Sequence, residues 1–165
     1  MKLAASPLLK PYVGQPAILD SNLLLLHWCA SFDSDLVCSF KRLNSFQPED
    51  VVLLSETLKV FSAVRTTPHV LTEVSNLANS LPQWRKEDWS NHFSRQIQVI
   101  AEEWTSAATI AAGDFMWLGL TDAALATLAK THVILTIDFS LSNSLESRGL
   151  NVINFTHLRS LWLEP

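Results

Sequence analysis

Short apolar runs alternate along the chain with longer segments in which apolar residues recur every three or four positions. The runs at residues 17–20, 63–66, 133–137 and 151–153 are rich in apolar and β-branched residues, and they predict β-strands. The run at 133–137 is almost wholly apolar, as is typical of a strand buried on both faces of a parallel sheet. The chain therefore carries short strands that are far apart in sequence.

The segments between these runs predict helices, with Gly149 as a stop signal for one of them and residues 111–119 as a loop. The predicted helices lie at about residues 22–31, 35–43, 48–61, 67–77, 82–104, 122–130, 139–147 and from 156 onward. The longest has one apolar face, formed by Trp89, Phe93, Ile97, Ile100 and Trp104. Strands separated by helices predict a helix-rich α/β fold, a three-layer α/β/α sandwich with a short central parallel sheet.

Length and composition limit the class of protein. A chain of 165 residues, 48% apolar, fits one ordinary domain with a sizeable core. We predict an extended, proline-containing lead-in at residues 1–16 and a single domain at 17–165. No apolar segment reaches the ~18 residues that cross a bilayer, and the N-terminus lacks the apolar stretch of a signal peptide, so we expect a cytoplasmic protein without membrane contact. A net charge of −4 disfavours nucleic-acid binding through a broad basic face.

Four acidic residues stand beside the predicted strands and helices rather than in a charged run. Asp20 and Asp138 end two strands, where ligands bind in open α/β sheets. Asp122 lies in the first turn of a helix, and Glu73 lies about one turn into another. Each acid also fits a structural role, because helix starts and caps favour carboxylates. His69 shares a helix face with Glu73, but no third histidine lies nearby, and we predict an ordinary surface position for it.

Convergence of these acids would require a counter-charge. Two carboxylates ~5 Å apart repel by roughly 3 kcal/mol at an effective dielectric of 20. A cluster of four must therefore bind protons or hold a cation. An all-oxygen set without organised His or Cys suits Mg²⁺ or Mn²⁺, and such ions in an acidic crevice commonly serve phosphate chemistry.

Short motifs around the four acids resemble those of PIN domains, especially the VapC-type toxin ribonucleases. The resemblance covers about residues 17–158, and the motifs follow the order of the family. The matching segments are ILDSNLL at 18–24, TPHVLTEV at 67–74, LTDAAL at 120–125 and LTIDFSL at 135–141, followed by GLNVINF at 149–155.

The resemblance implies metal-dependent hydrolysis of RNA that leaves a 5′-phosphate and a 3′-hydroxyl. It implies that Mg²⁺ or Mn²⁺ is bound by Asp20, Asp122 and Asp138, with Glu73 binding directly or through water. Asn22, Thr136 and Ser140 are polar neighbours that either orient these ligands or contact phosphate, or else serve only as caps and strand-end hydrogen-bonding groups.

The expected function is that of an endoribonuclease with an RNA substrate, as the toxin of a toxin–antitoxin pair, with an antitoxin partner and a homodimeric assembly. The main alternative is a catalytically inactive PIN-like module that binds RNA or protein. A receiver domain or a dehalogenase-like phosphatase fits less well, because Asp20-Ser21-Asn22 lacks the second acid that those sites use.

Overall fold

The computed structural model describes residues 6–163, which form a parallel sheet surrounded by helices. The strands are β1 (Pro16–Leu19), β2 (Ala63–Thr66), β3 (Ala101–Glu102), β4 (Val133–Thr136) and β5 (Val152–Asn154). The α-helices are α1 (Ser21–Phe32), α2 (Leu36–Ser39), α3 (Pro48–Leu58), α4 (Pro68–Ala78), α5 (Gln83–Val99), α6 (Ala107–Ala111), α7 (Phe115–Leu128), α8 (Phe139–Ser147) and α9 (Phe155–Leu163). Short 3-10 helices lie at Lys10–Tyr12 and Lys41–Leu43.

The strand order β3-β2-β1-β4-β5 explains where a ligand site can form. All pairings are parallel, and Ile18 of β1 aligns with Arg65 of β2 on one side and with Ile134 of β4 on the other. The chain builds outward from β1 through β2 to β3, then returns to add β4 and β5 beyond the other edge of β1. The order reverses between β1 and β4, and a crevice opens beyond the carboxyl ends of strands at such a point. The predicted fold class, a helix-rich three-layer α/β/α sandwich, is confirmed.

The core lies around the two central strands and α1. Every residue of β4 is buried, as is the apolar part of β1. Helix α1 contacts both strands and helices α2 to α5, so all four leucines from Leu23 to Leu26 are fully buried. A helix that is apolar on every side is stable only when surrounded in this way. The first residues of α1 are therefore held rigidly beside the end of β1.

Several predicted boundaries agree with the structure. The helix predicted at 139–147 matches α8, and Gly149 ends it with a φ of 66°, a backbone conformation that favours glycine. The helix predicted at 22–31 matches α1 within one residue at each end. Within residues 6–163, no helix is long and apolar enough to cross a membrane.

The predicted helix at 82–104 is wrong in its last part. Helix α5 ends at Val99, and the next residues form the edge strand β3, which pairs with β2. The apolar face up to Ile97 packs against the core, as expected, whereas Trp104 lies beyond the strand and is 77% exposed. A two-residue strand forms because it pairs with a neighbouring strand, and its own sequence carries little signal. The helical spacing of the apolar residues therefore predicted a helix at this place.

Two other predicted segments also differ from the structure. The helix predicted at 35–43 is broken at Phe40, which adopts an extended backbone between α2 and the following 3-10 helix. The loop predicted at 111–119 contains the start of α7, which is interrupted at Gly119 with φ 78° and ψ 176°. A regular helix begins again after this kink.

Residues 1–5 of the predicted lead-in at residues 1–16 lie outside the described residues. Residues 6–15 form turns and a 3-10 helix rather than an extended segment. Leu9 is fully buried in the core. This stretch therefore packs on the domain.

Candidate functional site

All four predicted acids line one cavity beyond the carboxyl ends of β1 and β4. The cavity has a volume of about 200 Å³, and α1, α4, α7 and the loop before α8 contribute its walls. Its lining contains no Lys, Arg or His among residues 6–163. The lining residues are Asp20, Ser21, Asn22, Glu73, Leu77, Asp122 and Asp138.

Asp20 is the buried anchor of this cavity, with 5% of its surface exposed. One carboxylate oxygen accepts a hydrogen bond from the backbone N–H of Leu23 at 2.8 Å, so Asp20 caps α1. The other oxygen accepts from the hydroxyl of Thr136 at 2.5 Å and from the N–H of Ile137 at 3.1 Å. These bonds fix the carboxylate between the start of α1 and the end of β4.

Burial and hydrogen bonding act in opposite directions on the pKa of Asp20. Desolvation is the largest effect and raises the pKa, while the bonds from Thr136, Leu23 and Ile137 lower it. The charge of Asp138 adds a further increase, and the pKa is raised overall. The fold therefore holds a carboxylate where the site lacks positive charge.

Asp138 is joined to Asp20 through Thr136. The Thr136 hydroxyl that donates to Asp20 also accepts the N–H of Asp138 at 2.9 Å. One Asp138 oxygen accepts the N–H of Leu141 at 2.9 Å, so this acid caps α8. Capping and clustering therefore coexist in both Asp20 and Asp138, although the sequence presented them as alternatives.

Glu73 reaches the cavity from α4 and is tied to α1. The hydroxyl of Ser21 donates a hydrogen bond to a Glu73 carboxylate oxygen. Sequence reasoning missed Ser21, although its place directly after Asp20, in the first turn of α1, was a usable signal. Because Ser21 itself is buried, this contact fixes the spacing between the two helices at the rim of the cavity.

Asp122 also has a raised pKa. It lies in the first turn of the helical segment that restarts after Gly119, as the sequence predicted for a helix start. Burial, as the largest cause, and the charges of Asp138, Glu73 and Asp20 together raise its pKa from 3.8 to about 6. No hydrogen bond from the described part of the chain offsets them. The three named neighbours show that the four carboxylates share one electrostatic environment.

The carboxylate oxygens are the kind of ligand that suits a hard divalent cation, but the side chains are too widely spaced to hold one together. Within residues 6–163, no three His, Cys, Asp or Glu side chains stand close enough together to hold a metal ion. Asp20 and Asp138 each accept a capping backbone N–H, whereas Glu73 accepts only the hydroxyl of Ser21 and Asp122 accepts no hydrogen bond in that range. Binding an ion in this cavity therefore requires the side chains of Glu73 and Asp122 to move inward.

The three predicted polar neighbours have different positions. Thr136 is buried, donates to Asp20 and accepts from the N–H of Asp138, which agrees both with an orienting role and with the strand-end hydrogen bonding that the sequence left open. Asn22 lines the cavity beside Ser21. Ser140 is exposed and lies outside the lining of the cavity.

Comparison with known proteins adds no relative: no protein-family model matches the chain, and no curated protein matches it. The likeness to PIN domains stays a prediction, supported by the order of its motifs along the chain.

Replacing Asp122 by Asn tests the electrostatic coupling of the cluster. Because its pKa rises from 3.8 to about 6 on folding, the stability linked to Asp122 is fully present below about pH 4 and is lost as the pH rises through about 6. Allowing for solvent screening, we expect Asp122→Asn to raise the free energy of unfolding by about 1–2 kcal/mol above pH 6, and by progressively less toward pH 4.

Urea titrations in chelator across this pH range measure the effect, with Asp88→Asn on the exposed face of α5 as the matched control. A difference that stays the same at every pH would contradict the coupling.

Replacing Thr136 by Val removes one hydroxyl that serves both Asp20 and the N–H of Asp138. We expect a loss of roughly 1–3 kcal/mol in the free energy of unfolding, because a buried carboxylate loses a donor and an amide loses its acceptor. Thr136→Ser keeps the hydroxyl and is expected to restore most of this loss. A Thr136→Val variant as stable as the unmodified protein in urea titrations, beside a destabilised Thr136→Ser, would show that the methyl group matters and the hydroxyl does not.

Proposed function

We propose that this protein is a metal-dependent endoribonuclease that hydrolyses RNA phosphodiester bonds, with Mg²⁺ or Mn²⁺ held by Asp20, Glu73, Asp122 and Asp138. The observation that carries the proposal is the meeting of these acids, from four separate parts of the sequence, in one cavity at the switch point of the sheet. Helix capping explains the presence of Asp20 and Asp138, but it does not explain why Glu73 and Asp122 face the same cavity.

Charge balance favours a cation over protons as the usual partner of the cluster. The pKa of Asp122 is about 6, so this acid is largely ionised at neutral pH despite its three acidic neighbours. The cavity lining offers no Lys, Arg or His within the described residues to compensate. A hard divalent ion is the partner that an all-oxygen carboxylate set selects.

The residues divide into a fixed pair and a movable pair. Asp20 accepts hydrogen bonds from Thr136 and from the backbone, and Asp138 accepts one from the backbone and donates its own N–H to Thr136. These two acids would therefore define where positive charge is bound. Glu73 and Asp122 are less restrained and can close on the ion once it is present. Ser21 limits the range of Glu73 through its hydroxyl. Such supporting hydrogen bonds commonly tune metal sites.

The chemistry is a displacement at phosphorus by water. A bound divalent ion would lower the pKa of a water molecule and stabilise negative charge on the phosphate oxygens. The water oxygen forms a bond to phosphorus, the bond from phosphorus to the 3′-oxygen breaks, and the 3′-oxygen takes up a proton. The products are a 5′-phosphate and a 3′-hydroxyl, and the 2′-hydroxyl of RNA takes no part. Ionised carboxylates around the cavity provide sites that can accept the proton of the water.

One observation favours a second function, that of a catalytically inactive PIN-like module that binds RNA or protein. Within residues 6–163, no three acidic side chains stand at the spacing of a bound ion. If the side chains cannot close, the acids remain a structural cluster. The predictions of a toxin role, an antitoxin partner, a homodimer and a cytoplasmic location rest on the sequence and stay predictions.

A cleavage assay separates the two functions. We expect a labelled single-stranded RNA to be cut in Mg²⁺ or Mn²⁺ and not in chelator, with 5′-phosphate ends on the products. Glu73→Gln and Asp138→Asn each remove one ligand charge at an exposed position, and each is expected to lower the rate on the order of a hundredfold or more. Asp88→Asn, an exposed acid on α5 outside the cavity, is the control and should cut like the unmodified protein.

A substrate with a 2′-deoxy sugar at the cleavage site is expected to remain cleavable, because the reaction does not use the 2′-hydroxyl. Cleavage in chelator, or full activity in both Glu73→Gln and Asp138→Asn, would refute the proposal of a metal-dependent nuclease at this site. RNA binding without any cleavage would favour the inactive module.

A further inference from the structure

A second and larger cavity adjoins the acidic one. It has a volume of about 490 Å³, and Glu73 lines both cavities, so this side chain lies at the junction between them. Helix α4 forms one wall and the helical segment after Gly119 forms the other. Besides Glu73, its lining residues are Pro68, His69, Thr72, Asn76, Leu120 and Thr121.

The lining of this cavity differs in chemistry from that of the acidic one. Apart from Glu73 at the junction, it contains no carboxylate, Lys or Arg among the described residues. Hydroxyl, amide and imidazole groups alternate with the apolar surfaces of Pro68 and Leu120. The side chains of Asn76 and Thr121 make no hydrogen bond within residues 6–163, so their donors and acceptors face solvent. The cavity is therefore suited to a neutral ligand with polar edges and apolar faces.

A nucleoside has this character. Nucleobases present hydrogen-bond donors and acceptors at their edges and apolar surfaces on their faces, and the ribose 2′-hydroxyl both donates and accepts. A volume of about 490 Å³ falls within the range of ~300–1,000 Å³ that is usual for small-molecule sites. A second phosphate fits poorly here, because among residues 6–163 the lining offers no Lys or Arg and contains the carboxylate of Glu73.

We propose that this cavity binds the base and ribose of the nucleotide next to the scissile phosphate, and that Asn76 and Thr121 recognise them by hydrogen bonds. The proposal rests on the proposed nuclease function, since the phosphate of that nucleotide would lie at the acidic cavity beside Glu73. It gives an acidic protein a way to hold RNA through neutral contacts with one nucleotide.

Titration with nucleotides tests this site without any need for cleavage. Uridine and adenosine 5′-monophosphates and inorganic phosphate are added, each with Mg²⁺, while amide signals are followed by two-dimensional ¹H–¹⁵N NMR. We expect the nucleotides to shift the signals of Thr72, Asn76 and Thr121. Asn76→Ala combined with Thr121→Val removes two hydrogen-bonding groups, and we expect it to weaken nucleotide binding by roughly tenfold while leaving phosphate binding unchanged.

The matched control is Ser75→Ala, which changes an exposed residue of α4 that lines a different cavity. It is expected to bind nucleotides like the unmodified protein. Equal nucleotide affinity in the double variant and the unmodified protein, or shifts only outside the cavity, would overturn the proposal. Nucleotide binding that succeeds while RNA cleavage fails would leave the cavity as a nucleotide site and reject the nuclease. If the protein cleaves RNA but the double variant binds nucleotides with unchanged affinity, the nucleotide site in this cavity is rejected and the proposed nuclease function stands.

Discussion

The rest of the site depends on the hydrogen bonds that hold the buried carboxylate of Asp20. Its two oxygens receive hydrogen bonds from Leu23, Thr136 and Ile137, so one side chain joins the start of α1 to the end of β4. Because α1 is surrounded by the core and β4 is fully buried, neither element can shift to relieve the charge. The fold accepts a carboxylate with a raised pKa at its centre and places further acids around it.

The same constraint explains the division of labour among the acids. Asp20 and Asp138 are both helix caps linked through Thr136, and their positions follow from the backbone. Asp122 and Glu73 come from α7 and α4, and within residues 6–163 no backbone N–H donates to either carboxylate. The pKa of Asp122 is raised to about 6, first by its burial and then by the charges of the other three acids. Such an arrangement is unfavourable for stability alone, and the cation that we propose would compensate it.

The sequence predicted correctly those features that are determined by residues close together in the chain. The apolar runs at β1 and β4 and the stop at Gly149 follow from burial and backbone preference, and the parallel sheet follows from the alternation of strands and helices. It failed where a distant partner decides: β3 exists because it pairs with β2, and Ser21 matters because Glu73 comes close from α4. Asp20 and Asp138 were predicted from their places at strand ends, and Asp122 and Glu73 mainly from the resemblance of their motifs, but the common cavity depends on the order of the strands. The neutral cavity beside Glu73 was not predicted, although most of its lining lies in the segments 67–74 and 120–125, because the sequence does not show that these two segments lie side by side.

The central claim, that the four carboxylates form one cation site, is tested most directly by a crystal structure of the protein grown or soaked in Mn²⁺. The account predicts an anomalous scattering peak in the acidic cavity, within roughly 2–2.3 Å of oxygens from at least three of Asp20, Glu73, Asp122 and Asp138, with Glu73 and Asp122 moved inward. A crystal saturated with Mn²⁺ that shows no peak in this cavity, with the four carboxylates still apart, would contradict it.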